Sequence, residues 1–383
     1  MRRATLFGSV AIGAMLSSAA TEVMAETVVA DELHSEYETI RVVEVVGDLS
    51  HPWAMAFLPD ERLLVTERAG RLLLVENGTT LEVGGVPAVH SHNQGGLLDV
   101  VLHPDYADTG WIYLTYSKGD ADGTVTALAR GRLDGDELVD VEDLFEANIA
   151  HAPGRHYGSR IAFKADGTLL LTIGDRGLRD PAQDLTDHTG SIIRLNDDGS
   201  IPDDNPFTGN IAAMPEIWSY GHRNPQGLFV HPVTGRVWSN EHGPRAGDEL
   251  NLIEPGKNYG WPVATKGLEY DTQEQVGIGR SLAGMEDPIR DWSPALAPSG
   301  FAVYTGDQFE HWQGDFFVGS LLRRHLVRVV MVGHEVLHEE ELLRDEIGRI
   351  RDVRDGPDGF LYVLTDEDPG GVYRLEPADR EQF

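Results

Sequence analysis

Short apolar runs alternate with turn-forming clusters along this chain, and from Thr39 onward they do so in a repeating two-part pattern. The first part is a turn followed by an apolar run: PDERLLVTE (59–67), TGWIYLTYS (109–117), ADGTLLLTIGD (165–175), TGRVWSNEHG (234–243), QGDFFVGSL (313–321) and PDGFLYVLTD (357–366). The second part is another run, often closed by Asp or Gly: GRLLLVENG (70–78), VTALARGRLDGD (125–136), GSIIRLNDDGS (190–200), GDELNLIEPG (247–256), HLVRVVMVGH (325–334) and GGVYRLEPAD (370–379). Runs of this length between turn residues read as strands, and helical periodicity is almost absent. Six copies, spaced by roughly 45 to 80 residues, predict an all-β fold, a six-bladed β-propeller with long loops on one face. A β-sandwich is the competing fold and accommodates six such repeats poorly. A ring protects its sheet edges by closing, and Ile40–Val46 is expected to pair within the last blade and seal it. The largest insertions, 176–222 and 260–312, are rich in Pro, Gly, Trp and Asp and read as the functional loops.

The N-terminus follows a different rule. Arg2 and Arg3 precede an apolar, small-residue stretch from Leu6 to Ala20, and Val23-Met24-Ala25 is a small-x-small cleavage site. This predicts a signal peptide over 1–25, a polar and mobile segment over 26–38, and a catalytic propeller over 39–383, with a periplasmic or secreted location. No later run is apolar enough to span a bilayer. Cysteine is absent, so the exported chain has no disulfides.

The formal net charge of −32 excludes a nucleic-acid surface, which needs clustered Lys and Arg. Lys is confined to Lys118, Lys164, Lys257 and Lys266. Such a balance fits a protein adapted to high salt, where screening weakens self-repulsion, and equally an ordinary acidic secreted protein.

Candidate chemistry centres on HAPGRHYGSRIAFKADGTLLLTIGDRG, residues 151–177. Read as a hairpin, it places His156 just before one strand and Asp175 just after its partner, on the same rim. A His beside a carboxylate makes a general base; otherwise the two residues only shape loops. Gln94, in NQGGLLD, has the donors and acceptor to bind a sugar hydroxyl or to shape its loop. In WSYGHRNPQG, Arg223 offers a planar donor fork and His222 a second base, unless the stretch is a buried structural loop. EHGPRAGDE (241–249) and NYGWP (258–262) supply hard oxygen ligands of the kind Ca²⁺ takes, or a solvated acidic turn. Arg349 and Arg351 share one face of an extended segment and suit an anion, or interstrand pairing. Trp261, Tyr270 and Trp292 either wall a flat cofactor or anchor loops.

Taken together, HYGSRIAF, TIGDRG, YGHRNPQGL, EHGPRAGDELN, NYGWP and RIRDV…PDG…LYVLTD, from about Gly47 to about Leu375, resemble the soluble quinoprotein glucose dehydrogenases. The resemblance is greater to the periplasmic PQQ-dependent aldose sugar dehydrogenases. It implies a six-bladed propeller that oxidises the C1 hydroxyl of aldoses to lactones, passes hydride to PQQ, and hands electrons to an external acceptor, as a monomer or homodimer. By motif, His156 is the base, supported by Asp175. Gln94, with Asp175, would contact the sugar. Arg223 would polarise the quinone carbonyl, Asn224 would hold the cofactor, and Arg349 and Arg351 would bind PQQ carboxylates, with Tyr270 on the cofactor wall. The carbonyls of Gly243 and Pro244 would hold a Ca²⁺ touching PQQ; Glu249, the Tyr259 carbonyl and Asp248 would hold a second. One departure stands out: Leu322 occupies the place of a family Lys that helps bind PQQ, with Arg323 or Arg324 as candidate substitutes. Two rival functions follow from the same scaffold: a Ca²⁺-dependent propeller lactonase using Glu241, Asp248 and Glu249, and a binding propeller without catalysis.

Overall fold

The computed structural model describes Met1 and residues 27–378. The expected signal peptide therefore lies, apart from Met1, outside the described residues. Strands β1 (Thr27–His34) and β2 (Thr39–Leu49) come first in the chain but join the last blade. The first blade is β3 (Pro52–Phe57), β4 (Leu63–Glu67), β5 (Arg71–Glu76) and β6 (Thr79–Val83). The second is β7 (Leu97–Leu102), β8 (Trp111–Gly119), β9 (Thr124–Asp134) and β10 (Glu137–Glu146). The third is β11 (Ile161–Phe163), β12 (Leu169–Thr172), β13 (Ser191–Leu195) and β14 (Ile217–Tyr220). The fourth is β15 (Pro225–Val230), β16 (Val237–Glu241), β17 (Asp248–Ile253) and β18 (Arg290–Trp292). The fifth is β19 (Pro298–Val303), β20 (Phe316–Ser320), β21 (Leu326–Val332) and β22 (Glu335–Leu342). The sixth is β23 (Ile350–Asp355), β24 (Leu361–Thr365) and β25 (Gly370–Pro377), completed by β2 and β1.

The first strand of each blade faces the axis. These six strands touch in cyclic order, β3 to β7, β11, β15, β19, β23 and back to β3, so the ring is closed. The seal is the antiparallel pairing of β2 with β25, from Ile40↔Pro377 to Leu49↔Gly370, as the pattern predicts. Residues 27–38 carry structure of their own: Thr27–His34 pairs along β2, Glu38 N donates to Ser35 Oγ at 2.8 Å, and Tyr37 stacks on His311 of the fifth blade. Their polar composition records an outer edge strand, which faces water on most of its surface.

Among the described residues the hydrophobic core is not one mass: six clusters each lie between neighbouring blades, and a small seventh, Ala182, Trp261 and Val276, lies among the loops. Leu64, Leu72 and Leu97 lie between the first and second, Leu128, Leu171 and Ile193 between the second and third, and Trp238, Phe301 and Phe316 between the fourth and fifth. Every blade is thus held by apolar burial on both faces. Because strands alternate direction, the turns after the second strand and before the first strand of each blade all emerge at one end. Part of the 176–222 insertion departs from that end: residues 196–216 leave the far end of β13 and return outside the blade to β14.

Candidate active site

At this end the turns enclose an axial cavity of about 690 Å³. Of the sequence candidates, Gln94, His156, Arg223, Asn224, Gly243, Asp248, Tyr270, Leu322, Arg349 and Arg351 line it. His156 arrives on the loop before β11 and Asp175 on the turn after β12, as the hairpin reading predicts. Close approach of the two segments needs Gly174, where a Cβ would lie 2.2 Å from the His156 carbonyl oxygen. His156 Nδ1 lies 2.5 Å from Asp175 Oδ1. Asp175 Oδ1 also accepts from Gly177 N at 2.7 Å, and its Oδ2 accepts from Trp261 Nε1 at 2.7 Å. Burial pushes the Asp175 carboxyl up, but the hydrogen bond from His156 and the charge of Arg223 hold it below the usual carboxylate range. An ionised carboxylate only accepts, so the imidazole proton sits on Nδ1 and Nε2 keeps its lone pair. Burial, and secondarily Arg223, lower the His156 pKa against the opposing pull of Asp175, which keeps the ring neutral.

Asp175 is fully buried and stands behind His156, outside the lining of the cavity. Gln94 lines the cavity, yet its Oε1 is committed to the His156 backbone N at 2.8 Å; it sets the position of the base as well as facing the cavity. His222 is not a second base. It is buried, with Nδ1 2.9 Å from Glu241 Oε1 and Nε2 2.9 Å from Ser219 Oγ, and it braces the loop that carries Arg223 and Asn224.

Arg223 donates through Nη1 to the His242 carbonyl at 2.9 Å, while its backbone N donates to Glu241 Oε2 at 2.5 Å. Its guanidinium also lies 5.3 Å from the Trp261 ring centroid, a cation–π contact that orients the fork. Asn224 Oδ1 accepts from Gly158 N at 3.2 Å and Gln226 Nε2 at 3.3 Å. Tyr270 is half-exposed at the mouth, its hydroxyl 3.5 Å from Arg223 Nη2. Across the cavity, Arg351 donates to Gln226 Oε1 at 2.8 Å and to Asp366 Oδ2 at 3.0 Å. Its buried Nε has no hydrogen-bond partner among the described residues. Arg349 Nη2 and Arg68 Nη1 each stand 3.5 Å from the same Asp366 carboxylate. Burial raises Asp366, but Arg351, Arg68 and Arg349 together hold it well below the usual range, so it stays ionised.

The acidic loop divides into two regions. Asp248 is spent on backbone: Oδ1 accepts from Gly243 N at 2.8 Å, and Oδ2 from Leu296 N at 2.8 Å and Ala297 N at 2.7 Å. Burial lifts its pKa to about 6 against these bonds. Pro244 does not line the cavity, and its carbonyl accepts from Ala246 N at 2.7 Å and Leu268 N at 2.9 Å. Glu249 is buried behind this loop. It shares Asn251 Nδ2 with Glu241, at 3.1 and 3.3 Å. Burial and the Glu241 charge push the Glu249 carboxyl well up. Glu241 and Glu249 are thus two buried acidic side chains close to the Tyr259 ring, which stacks on His222; among the described residues no group of three or more His, Cys, Asp or Glu is gathered as for a metal ion.

Leu322 is 62% exposed at the cavity and brings no charge. Neither neighbour replaces it: Arg323 Nε donates to the Ala295 carbonyl at 3.0 Å, and Arg324 faces Asp345 and Glu367. Sequence reasoning missed Arg68, His242, Arg245 and Asp366 as cavity residues.

The site is a buried, carboxylate-held imidazole opening onto a cavity rich in guanidinium groups, on the axis of a six-bladed propeller; with the comparisons that follow, it defines a propeller oxidoreductase of the sugar dehydrogenase class. The comparisons make this specific. The Glucose / Sorbosone dehydrogenase family model matches residues 49–374, and the chain belongs to that family. It is 45% identical to the aldose sugar dehydrogenase YliI of Escherichia coli K12 over 345 residues, covering 88% of this chain and 93% of that one. The structure of the soluble aldose sugar dehydrogenase from Escherichia coli in the apo-form superposes with a TM-score of 0.86 at 43% identity, over 88% of this chain and 100% of that one. The PQQ-bound form of aldose sugar dehydrogenase from Streptomyces coelicolor superposes at 0.74 with 29% identity, over 90% of this chain and 99% of that one.

Proposed function

We propose that the protein oxidises the C1 hydroxyl of aldose sugars to lactones, with PQQ as hydride acceptor and Ca²⁺ as a supporting ion. The observation that carries this reading is the His156–Asp175 pair, buried and oriented, with Nε2 of His156 left to face the cavity. His156 Nε2 takes the hydroxyl proton, and Asp175 stabilises the imidazolium that results. Bound PQQ supplies an electrophilic quinone able to accept a hydride. Arg223 would stabilise the negative charge that such an acceptor gains, and Tyr270 and Trp261 flank its guanidinium.

The residues fit the cofactor. Arg349 and Arg351 face the cavity with spare donors, including the unpartnered buried Nε of Arg351, and match carboxylates. Gly243 lines the cavity, and its carbonyl would be a ligand of Ca²⁺. Pro244 would have to release a backbone bond to do the same. The second ion belongs at Glu249 and Glu241. The lactonase reading finds less support, because Asp248 is committed to backbone and Glu249 does not line the cavity. Export to the periplasm and use of an external electron acceptor complete the proposal. No helix among the described residues is long and apolar enough to cross a membrane.

The test is reconstitution of the apoprotein with PQQ and Ca²⁺, followed by glucose-dependent dye reduction. Activity that requires both additions is the expected result; absence of PQQ binding would overturn the proposal.

A further inference from the structure

We infer that Arg68, in the turn after β4 of the first blade, is an anion-binding residue of the cavity and completes a three-arginine cradle for a polycarboxylate with Arg349 and Arg351. The inference rests on the proposed quinone cofactor for the ligand's identity, and on geometry for the cradle itself. Three guanidinium groups, from two blades, converge on the single carboxylate of Asp366. Guanidinium groups stay charged, so one carboxylate against three leaves an excess of two positive charges facing a cavity. Arg68 reaches Asp366 with one Nη at 3.5 Å, and Arg349 reaches it with Nη2 at 3.5 Å while its Nη1 donates to the Leu321 carbonyl at 3.1 Å; each five-donor fork keeps further N–H groups for a ligand. Arg351 adds a buried Nε with no partner. A dianion or two carboxylates entering the cavity would match this excess.

Arg68 is built into this place. Its backbone N donates to the His51 carbonyl at 3.2 Å, and its carbonyl accepts from Leu97 N at 3.2 Å. Gly96 makes the approach possible: with φ +154°, a Cβ there would sit 1.7 Å from the Arg68 carbonyl oxygen and 2.8 Å from the Arg68 side-chain stem. The glycine pair that presents Gln94 therefore also presents Arg68. With Leu322 neutral and exposed, and Arg323 and Arg324 turned to other partners, Arg68 is the third cation available to the ligand at this side of the cavity.

The test measures binding, not turnover. PQQ is titrated calorimetrically, in the presence of Ca²⁺, into wild-type apoprotein and into R68Q, R68K and R68Q/L322K, with thermal melts confirming that each variant is folded. Loss of one charge-assisted contact predicts a Kd about ten- to a hundredfold weaker for R68Q. R68K falls between, and L322K, which returns a cation to the same cavity, recovers part of the loss. A Kd for R68Q within twofold of wild type, or equal weakening in R68K and R68Q/L322K as expected of a purely structural role, would overturn the inference. Pyridine-2,6-dicarboxylate, titrated in parallel, separates the two readings. If wild type binds it in an Arg68-dependent way but does not bind PQQ, the cradle stands and the cofactor proposal falls. If wild type binds neither, the cradle falls as well.

Discussion

Replacing Asp175 by Asn tests the base directly, because three donors already converge on this side chain. His156 Nδ1, Gly177 N and Trp261 Nε1 all point at it. An amide has one acceptor end. If its oxygen faces His156 and Gly177, its NH₂ meets the Trp261 N–H; if it is flipped, its NH₂ meets His156 Nδ1 and forces the proton onto Nε2, where it blocks the base. In both cases the negative charge is gone. For charge centres about 4 Å apart and an effective dielectric near 20, that charge stabilises the developing imidazolium by about 4 kcal/mol, a factor of about 10³ in rate. The assay is steady-state dye reduction by the PQQ-reconstituted enzyme, with PQQ affinity measured separately. The expected result is a loss of about a thousandfold in kcat with PQQ affinity preserved. A D175N enzyme within tenfold of wild type in kcat would refute the assignment of His156 as a base dependent on this carboxylate.

Other predictions follow from the same structure. The pH dependence of kcat/KM should show its acid limb below pH 6.5, because burial and Arg223 lower the His156 pKa and the neutral, active ring is lost only as pH falls through that lowered value; an acid limb above 6.5 would contradict this. Leu171→Ala, fully buried between the second and third blades, should cost about 2–5 kcal/mol in denaturant unfolding, and a cost below 1 kcal/mol would mean the interface relaxes around the cavity. Chelation of Ca²⁺ should lower the melting temperature of the wild type, and E249Q should remove that sensitivity; a chelator response unchanged in E249Q would place the structural ion elsewhere.

How much of this was legible in the sequence depended on where a strand sits in its blade. Every apolar run of the repeating two-part pattern is a second or third strand, such as LLVTE and LLLT, because these are covered on both faces by neighbouring blades. The first strands were largely missed. Their apolar pattern is interrupted by residues that face the axis: Asp99, Gln226 and Asp352 are all buried there, with Arg160 just ahead of β11 bonding Asp99 at 3.1 Å and Asp352 at 3.0 Å. The fourth strands, such as Glu335–Leu342, are exposed and acidic and carry little apolar signal. For the site, His156 and Asp175 were legible because one hairpin brings them together. Arg68 and Asp366 were not, since three hundred residues separate them and only ring closure makes them neighbours. A usable signal existed all the same: Arg68, Asp175, His242, Leu322 and Asp366 stand at or next to the ends of equivalent second-strand runs, and reading those ends side by side would have gathered them.

The seam of the ring gives the cradle a mechanical meaning. The polypeptide becomes a circle only where β2 zips onto β25, and Arg68 and Asp366 lie on opposite sides of that zipper in chain order. Before closure the two halves of the anion site are the distant ends of an open horseshoe. After closure, a ligand gripped by Arg68 and Arg349 fastens the two ends together as a clasp does. Loading the cofactor then strengthens a circle that β2 and β25 have already closed, and the empty and filled proteins should differ most in how readily the first and last blades part.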